Sequence, residues 1–414
     1  MRVYVSPSGI GLGHIARTTP IVEELISRGA QAVFSTYLDG LTYAAARGFK
    51  LVDSVPIGFR VQSDGTVDFK QTAARSGLSL GLRRFLKQVR VEIRNMKVFK
   101  PDVVFSDSRA SSIVAARLLG IPVVLMLNQF RVEIVRKPSA TGKQSLMDRL
   151  FFFEANIFWI FVRTIIGGVW AQSKLILIPD FPYPDTISLE NLAIPSRYRS
   201  KVRFLGPVVN ISPRDLPARD AIIKELSLAA GLPIVYAAVS GPRVERQYLV
   251  KVILDLFQTV PEGYGFVMSC GNPKGSTAPN IMKNVVSYEW VDDKTHFKLL
   301  KAADVVISRS GHGIVTRTVA FGKPLILIPT PDHTEQYGNA KRAVKLGVAA
   351  MLDQRALNHE SLLRCLTTIL NSSEYRRRAE SLGSLALKLD PVNTAAELIE
   401  RVARQSACAK SYAD

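Results

Sequence analysis

The chemistry-bearing residues of this chain gather in three short runs. The first is Ser310-Gly311-His312-Gly313, which follows the apolar, β-branched VVIS of 305–308 and precedes a helical pattern, Gly322-Lys323-Pro324 and a second apolar run, LILIPT. Strand, tight loop, helix and strand make one βαβ unit, and its loop sits where a helix N-terminus offers free backbone N–H groups to an anion. Glycine at 311 and 313 lets the backbone come close to a phosphate, and Ser310 and His312 add side-chain donors. The second run, Asp332, His333, Glu335, Gln336 and Asn339, crowds polar groups just beyond the second strand, where open α/β sheets bind ligands. Together these two describe a diphosphate cradle beside a reader of sugar hydroxyls. The third run is SGIGLGHIARTTP at 8–20, a glycine loop with His14 where a helix starts. A histidine there, over a cleft, can take a proton from a hydroxyl, because an ordinary imidazole titrates near neutrality. It can equally serve to cap or close the loop. Asp107, in PDVVFSDSR, lies just past a strand end on the same rim, placed either to orient an imidazole or to cap a helix.

These runs need a scaffold, and the chain is long enough for two domains. It has 414 residues, of which 47% are hydrophobic, and no low-complexity tract interrupts it. Short apolar runs alternate with amphipathic helical stretches, the pattern of α/β domains with parallel sheets. A strand begins at Arg2, which leaves no room for a cleaved signal peptide ahead of it. KLILIP and VRFLGPVV read as the last strands of a first domain over 1–209. The proline- and charge-rich NISPRDLPARD reads as a linker over 210–220, and LPIVYAAVSGP opens a second domain over 221–390.

Composition narrows the partners. A net charge of +19, from 54 Lys and Arg against 35 acids, favours anions: nucleic acid, acidic lipid surfaces or phosphorylated substrates. Nucleic acid ranks last, since no aromatic-studded basic motif or zinc spacing is present. Cys270, Cys365 and Cys408 are scattered and read as reduced thiols of a cytoplasmic protein. Glycines at 9, 11 and 13 give GxGxG and not the dinucleotide GxGxxG, and no acid directly follows the strand AVFSTY, so an NAD-dependent oxidoreductase is poorly supported. Asp292-Asp293 stand at a helix start without DxD spacing and read as cap and dipole partners, so neither a metal nor a cofactor is expected.

ISRSG, FGKPLILIP and EQYGNA, in this order and spacing, together with SGIGLGH and EWVDD, resemble the glycosyltransferases with two facing Rossmann-like domains, the GT-B fold. The resemblance covers most of the chain. It is closest to the N-acetylglucosaminyltransferase of bacterial peptidoglycan synthesis, and to the eukaryotic and archaeal enzymes that add the second GlcNAc to dolichol-diphosphate-linked GlcNAc. It implies an acceptor-binding first domain, a nucleotide-sugar-binding second domain and a helix within 391–414 that returns to the first. It also implies His14 as catalytic base. The pairing with Asp107 resembles plant and macrolide sugar transferases, whereas the peptidoglycan enzyme lacks an aspartate there. Gly13, Ser240, Gly241, Ser310, Gly311, His312 and Gly313 would surround the donor phosphates, and Val291 with Trp290 the base. Glu335 and Gln336 would hold the donor sugar. Asn128 and Gln129, a looser match, would touch the acceptor. One position departs from the pattern: Arg317 stands where relatives usually carry a glutamate that binds the donor ribose. An arginine accepts no hydrogen bonds, so either another residue holds the ribose or the nucleotide differs, with Arg317 available to phosphate.

The implied activity is inverting, metal-independent transfer of GlcNAc from UDP-GlcNAc to a polyprenyl-diphosphate-linked sugar, as in N-glycan precursor assembly. Transfer to a diacylglycerol or a soluble secondary metabolite is the enzymatic alternative, and a non-catalytic nucleotide-sugar-binding protein is the alternative of another class. Two stretches point to a membrane. Over 82–97, Leu82, Leu86, Val89, Ile93 and Met96 recur at helical spacing, and Arg83, Lys87, Arg90, Arg94 and Lys97 follow one residue later, as in a helix lying on anionic lipid or a domain helix with a basic edge. The aromatic-rich 150–170 carries only Glu154 and Arg163 as charges and reads as an interfacial or re-entrant helix, with a buried core helix or a true span as the other readings. A peripheral protein on the cytoplasmic face of the membrane is the expectation.

Overall fold

The computed structural model describes residues 1–56, 78–130 and 164–411, except 240, 242, 260–262, 273 and 332. Of the expected landmarks, Ser240, Asp332 and the stretch 150–163 lie outside the described residues.

Two seven-stranded sheets form the frame. The first runs β3-β2-β1-β4-β5-β6-β7, with β1 at Arg2–Pro7, β2 at Gln31–Ser35, β3 at Leu51–Val52, β4 at Val103–Asp107, β5 at Val123–Met126, β6 at Leu175–Ile178 and β7 at Val202–Phe204. All its pairings are parallel. The second runs β10-β11-β9-β8-β12-β13-β14, with β8 at Ile234–Ala238, β9 at Gly265–Ser269, β10 at Asn280–Met282, β11 at Val285–Tyr288, β12 at Val305–Ser308, β13 at Leu325–Leu327 and β14 at Ala349–Met351. Here β10 alone pairs antiparallel, on the edge. The central strands are buried along their whole length, as continuous apolar runs such as VVFSD and VVIS require once helices cover both faces.

In each sheet the strand order reverses once, between β1 and β4 and between β8 and β12. Loops leaving neighbouring strands diverge there and open a crevice at the carboxyl ends. The glycine loop after β1 occupies the first crevice and runs into α1, Gly13–Ser27. Its form is dictated at two positions. A Cβ on Gly9 would meet the Tyr37 carbonyl oxygen at 1.8 Å, and Gly11 has φ +66°, the left-handed region that favours glycine. The loop 309–311 occupies the second crevice and runs into the next helix, His312–Ala320.

The last helix, Pro391–Ser411, leaves the second domain and packs on α1. It places Ala395, Ala396, Ile399 and Val402 in one core with Val3, Val5, Ile15 and Phe105. Where the chain crosses back, Gly206 has φ +99°, and a Cβ there would lie 2.7 Å from the Leu389 side chain.

Leu78–Phe99 forms a long helix whose inner face is not the apolar line expected from sequence. Val89 and Met96 are buried, but so are Gln88, Glu92 and Asn95, while Leu82 and Leu86 are 55% and 45% exposed. The cause is a buried polar cluster. Glu92 accepts from Tyr4 and Ser35 at 2.6 and 2.8 Å and is paired with Arg109. Arg83, Lys87, Arg90, Arg94 and Lys97 do face outward. Of the aromatic stretch, 164–170 is helical and ends on buried Trp170, edge-on to Phe130. Among the described residues no helix is long and apolar enough to cross a membrane.

Candidate functional site

The crevice of the first sheet holds a buried charge cluster. Asp107 is the last residue of β4 and fully buried. The helix after it, Ala110–Leu118, has Arg109 at its N-cap position, so Asp107 is not its cap. One carboxylate oxygen of Asp107 lies 2.8 Å from His14 Nδ1. Arg17, one turn along α1, donates Nε–H to Oδ2 at 2.6 Å and Nη2–H to Oδ1 at 2.5 Å. Burial alone would push the Asp107 carboxyl up. The Arg17 guanidinium and the His14 imidazole outweigh it and hold Asp107 below the usual carboxylate range. An ionised Asp107 accepts and does not donate, so its contact favours the His14 tautomer that carries a proton on Nδ1, in which the lone pair of the neutral ring is on Nε2. The ring is 25% exposed at its side chain, so that lone pair has access to a ligand.

The same cluster reaches the second domain. Arg17 donates to the Asn128 side-chain oxygen at 3.2 Å, and Asn128 donates its amide to Glu335 Oε1 at 3.0 Å. Glu335 belongs to the first turn of the helix Thr334–Lys345. An unbroken path of polar contacts therefore runs from His14 through Asp107, Arg17 and Asn128 to Glu335. Gln129 is half-buried beside it.

Opposite, the helix His312–Ala320 begins at Gly311 with no side-chain cap. Its first N–H groups are thus free for an anion. A Cβ at Gly311, Gly313 or Gly13 would meet no atom within 4 Å, so open space adjoins both helix starts. The loop itself is fixed from behind, since the Asn339 amide donates to the Ser310 carbonyl at 3.0 Å.

Several expected contacts take another form. The His312 side chain turns away to the first domain, with Nε2 3.0 Å from Asp180, and the ring is buried. The Asp180 carboxylate, an acceptor met by five donors with His312 among them, explains the turn. Buried Asp180 also accepts from the N–H groups of Phe181, Ile187 and Ser188 and from the Ser188 hydroxyl. The Ser310 hydroxyl is buried with no hydrogen-bond partner among the described residues. The Gln336 side-chain oxygen is committed to the Thr330 N–H at 2.8 Å, which holds the loop before its helix. The Gly241 carbonyl accepts from Arg246 at 3.0 Å.

In the second domain, Asp292 caps the helix Asp293–Ala302 by accepting from Thr295 N–H at 2.7 Å. Val291 is buried in the core of the second domain, and Trp290 is half-buried beside it. Asp293 pairs with Arg47 and accepts from the Tyr43 hydroxyl at 3.1 Å, both on the first domain. Arg317 is half-buried near them, its Nε–H donated to the Val208 carbonyl at 3.3 Å. Burial pushes its guanidinium down, with Asp293 and Tyr43 opposing. Burial, helped by Arg317, also pushes His296 down to about 4, so this histidine, bonded to Tyr236, is neutral at physiological pH.

Sequence reading passed over Arg17, Asp180 and Asn191. Asn191 bridges the domains by donating to the Asn339 side chain at 2.9 Å and the Glu335 carbonyl at 3.2 Å. An arginine three residues after a loop histidine, on the inner face of a helix, was the one available signal. Asp180 and Asn191 lie in a segment with no motif.

Residues 244–399 match the glycosyltransferase family 28 C-terminal domain. The chain is 26% identical to an uncharacterized glycosyltransferase of Methanosarcina acetivorans, over 97% of this chain and 98% of that one. It is also 26% identical to a UDP-N-acetylglucosamine–N-acetylmuramyl-(pentapeptide) pyrophosphoryl-undecaprenol N-acetylglucosamine transferase of Bacillus thuringiensis, over 98% of this chain and all of that one. Among solved structures it is similar to the spinosyn rhamnosyltransferase SpnG complexed with thymidine diphosphate. The TM-score is 0.63 and the identity 17%, over 96% of this chain and all of that one. The fold is the two-domain GT-B fold of glycosyltransferases.

Proposed function

We propose that this chain is a glycosyltransferase that moves GlcNAc from UDP-GlcNAc to a polyprenyl-diphosphate-linked sugar at a membrane face, a reading supported by the match of residues 244–399 to the glycosyltransferase family 28 C-terminal domain. The observation that carries this reading is the pair of elements across the cleft: the His14–Asp107 contact on one side and the bare start of the helix His312–Ala320 on the other. His14 Nε2 takes the proton of the acceptor hydroxyl as its oxygen attacks the anomeric carbon. The bond from that carbon to the diphosphate oxygen breaks on the opposite face, and its electron pair leaves with the nucleoside diphosphate, inverting the centre. Free N–H groups at 312–314 and the helix dipole meet the departing charge, so no metal is required. Glu335 binds sugar hydroxyls once Asn128 releases it. Asp293, within the cluster of Tyr43, Arg47 and Arg317, lies at the nucleoside end.

The lipid-linked acceptor is supported by the named substrate of the Bacillus relative and by the outward face of Leu78–Phe99. There Leu82 and Leu86 are exposed beside Arg83, Arg84, Lys87 and Arg90. Apolar side chains flanked by cations suit an anionic bilayer surface. The test is transfer from a panel of nucleotide sugars to short-chain polyprenyl-diphosphate GlcNAc in excess chelator. Turnover with UDP-GlcNAc that persists in chelator is expected. A strict divalent-metal requirement, or turnover only on soluble acceptors, would overturn the proposal.

A further inference from the structure

The cluster behind His14 contains one more charge than a histidine–carboxylate pair needs. Asp107 is fully buried, and a buried carboxylate must be met by positive charge. If His14 were its sole partner, balance would favour a proton on both ring nitrogens, which would cost the base its lone pair. Arg17 removes that demand. It is itself buried, grips both carboxylate oxygens and leaves Oδ1 still within 2.8 Å of His14 Nδ1. Its Nη2 also lies 3.1 Å from His14 Nδ1. A guanidinium so close, with no proton to lose, opposes a second positive charge on the ring.

We propose that Arg17 is a positioning and charge-balancing residue for the base. By neutralising Asp107, it lets His14 stand as an uncharged imidazole, oriented by the carboxylate but not protonated by it. This rests on His14 acting as the base in the reading above. The other groups around the ring are few. Asn128, after β5, is neutral, and it separates the cluster from Glu335 of the second domain. From the helix His312–Ala320, Arg317 adds positive charge near Arg17. No acid other than Asp107 makes a hydrogen bond or ion pair with His14 among the described residues.

The test uses the full chain with 15N-labelled histidine. Five histidines are present, so the His14 ring signals are assigned by their loss in H14A. Ring titrations and pH–rate profiles of kcat/KM are compared in wild type, Arg17→Lys, Arg17→Met and the double variant Arg17→Met/Asp107→Asn. Losing the guanidinium should move both the His14 titration and the acid limb of the rate profile up by about 1 pH unit or more. Activity at neutral pH would fall roughly three- to fivefold for a one-unit rise, and recover in base. Arg17→Lys, which keeps the charge, should hold both near wild type. The double variant, with no buried charge left, folds even if Arg17→Met does not, and should return the titration toward wild type. An unshifted His14 titration in folded Arg17→Met overturns the proposal, and so does a double variant that titrates well above wild type. Absence of turnover in wild type with every nucleotide sugar would refute the functional reading, while the ring titration would still decide the role of Arg17.

Discussion

Replacing Asp180 by alanine should unfold the seam between the domains before it unfolds either core. The carboxylate accepts from three backbone N–H groups at 2.7, 3.1 and 2.8 Å, the Ser188 hydroxyl at 2.6 Å and His312 Nε2 at 3.0 Å. Each buried donor left without a partner costs ~1–3 kcal/mol. Relaxation and entry of water will recover part of the sum, which leaves a loss on the order of 3–5 kcal/mol, the range for breaking a buried ion pair. For a domain of roughly 200 residues that is a fall in Tm of about 6–20 °C. Asp180→Asn, which still accepts through one oxygen, should lose less. Burial would push the Asp180 carboxyl up, but His312 and the Ser188 donors hold it below the usual range. Its contribution is therefore fully present above the unfolded value of ~3.9 and is lost as pH falls through the lower folded value. Wild type and Asp180→Ala should thus differ most near neutrality and converge in strong acid. Scanning calorimetry from neutral to acid pH, with hydrogen exchange across 180–192 and 309–316, measures all of this. A Tm within 1–2 °C of wild type at neutral pH, roughly the shift from half a kcal/mol, would refute the assignment of Asp180 as the seam's buried anchor.

Three further outcomes follow from the geometry. His14→Ala should reduce turnover by about 10²–10⁴-fold, the usual contribution of a general base, while nucleoside diphosphate binding measured by calorimetry stays within a few-fold of wild type. Gly311→Ala adds a methyl to the open space beside the helix start, where it meets no protein atom within 4 Å. Stability should therefore hold or rise by a few tenths of a kcal/mol, while KM for the nucleotide sugar rises about tenfold or more, separating ligand space from folding. Glu335→Ala should weaken discrimination between nucleotide sugars that differ at one hydroxyl, read as a ratio of kcat/KM values that falls by roughly tenfold, about one hydrogen bond to a charged group.

The sequence by itself determined what depends on local order along the chain. Strand, glycine loop and helix at 2–27 and at 305–320 are set by apolar runs, turn glycines and helical periodicity, all short-range properties. With the topology of parallel sheets they placed His14, Asp107 and the 311–313 backbone at carboxyl ends, where a ligand belongs. The cap role of Asp292 was equally local. Only the tertiary structure decided where side chains with several possible partners went. His312 looked like a cradle donor until Asp180, 132 positions away, supplied a buried carboxylate. The apolar line of 82–96 looked continuous until the pair of Glu92 with Arg109 took the inner face. Arg17 had no visible role until two strands and a loop closed round it and joined Asp107, 90 positions on, to Asn128. The physical reason is common to all three. A hydrogen bond or ion pair gains its strength from burial, and burial at these positions is made by segments far apart in the chain, so no window of local sequence contains both partners.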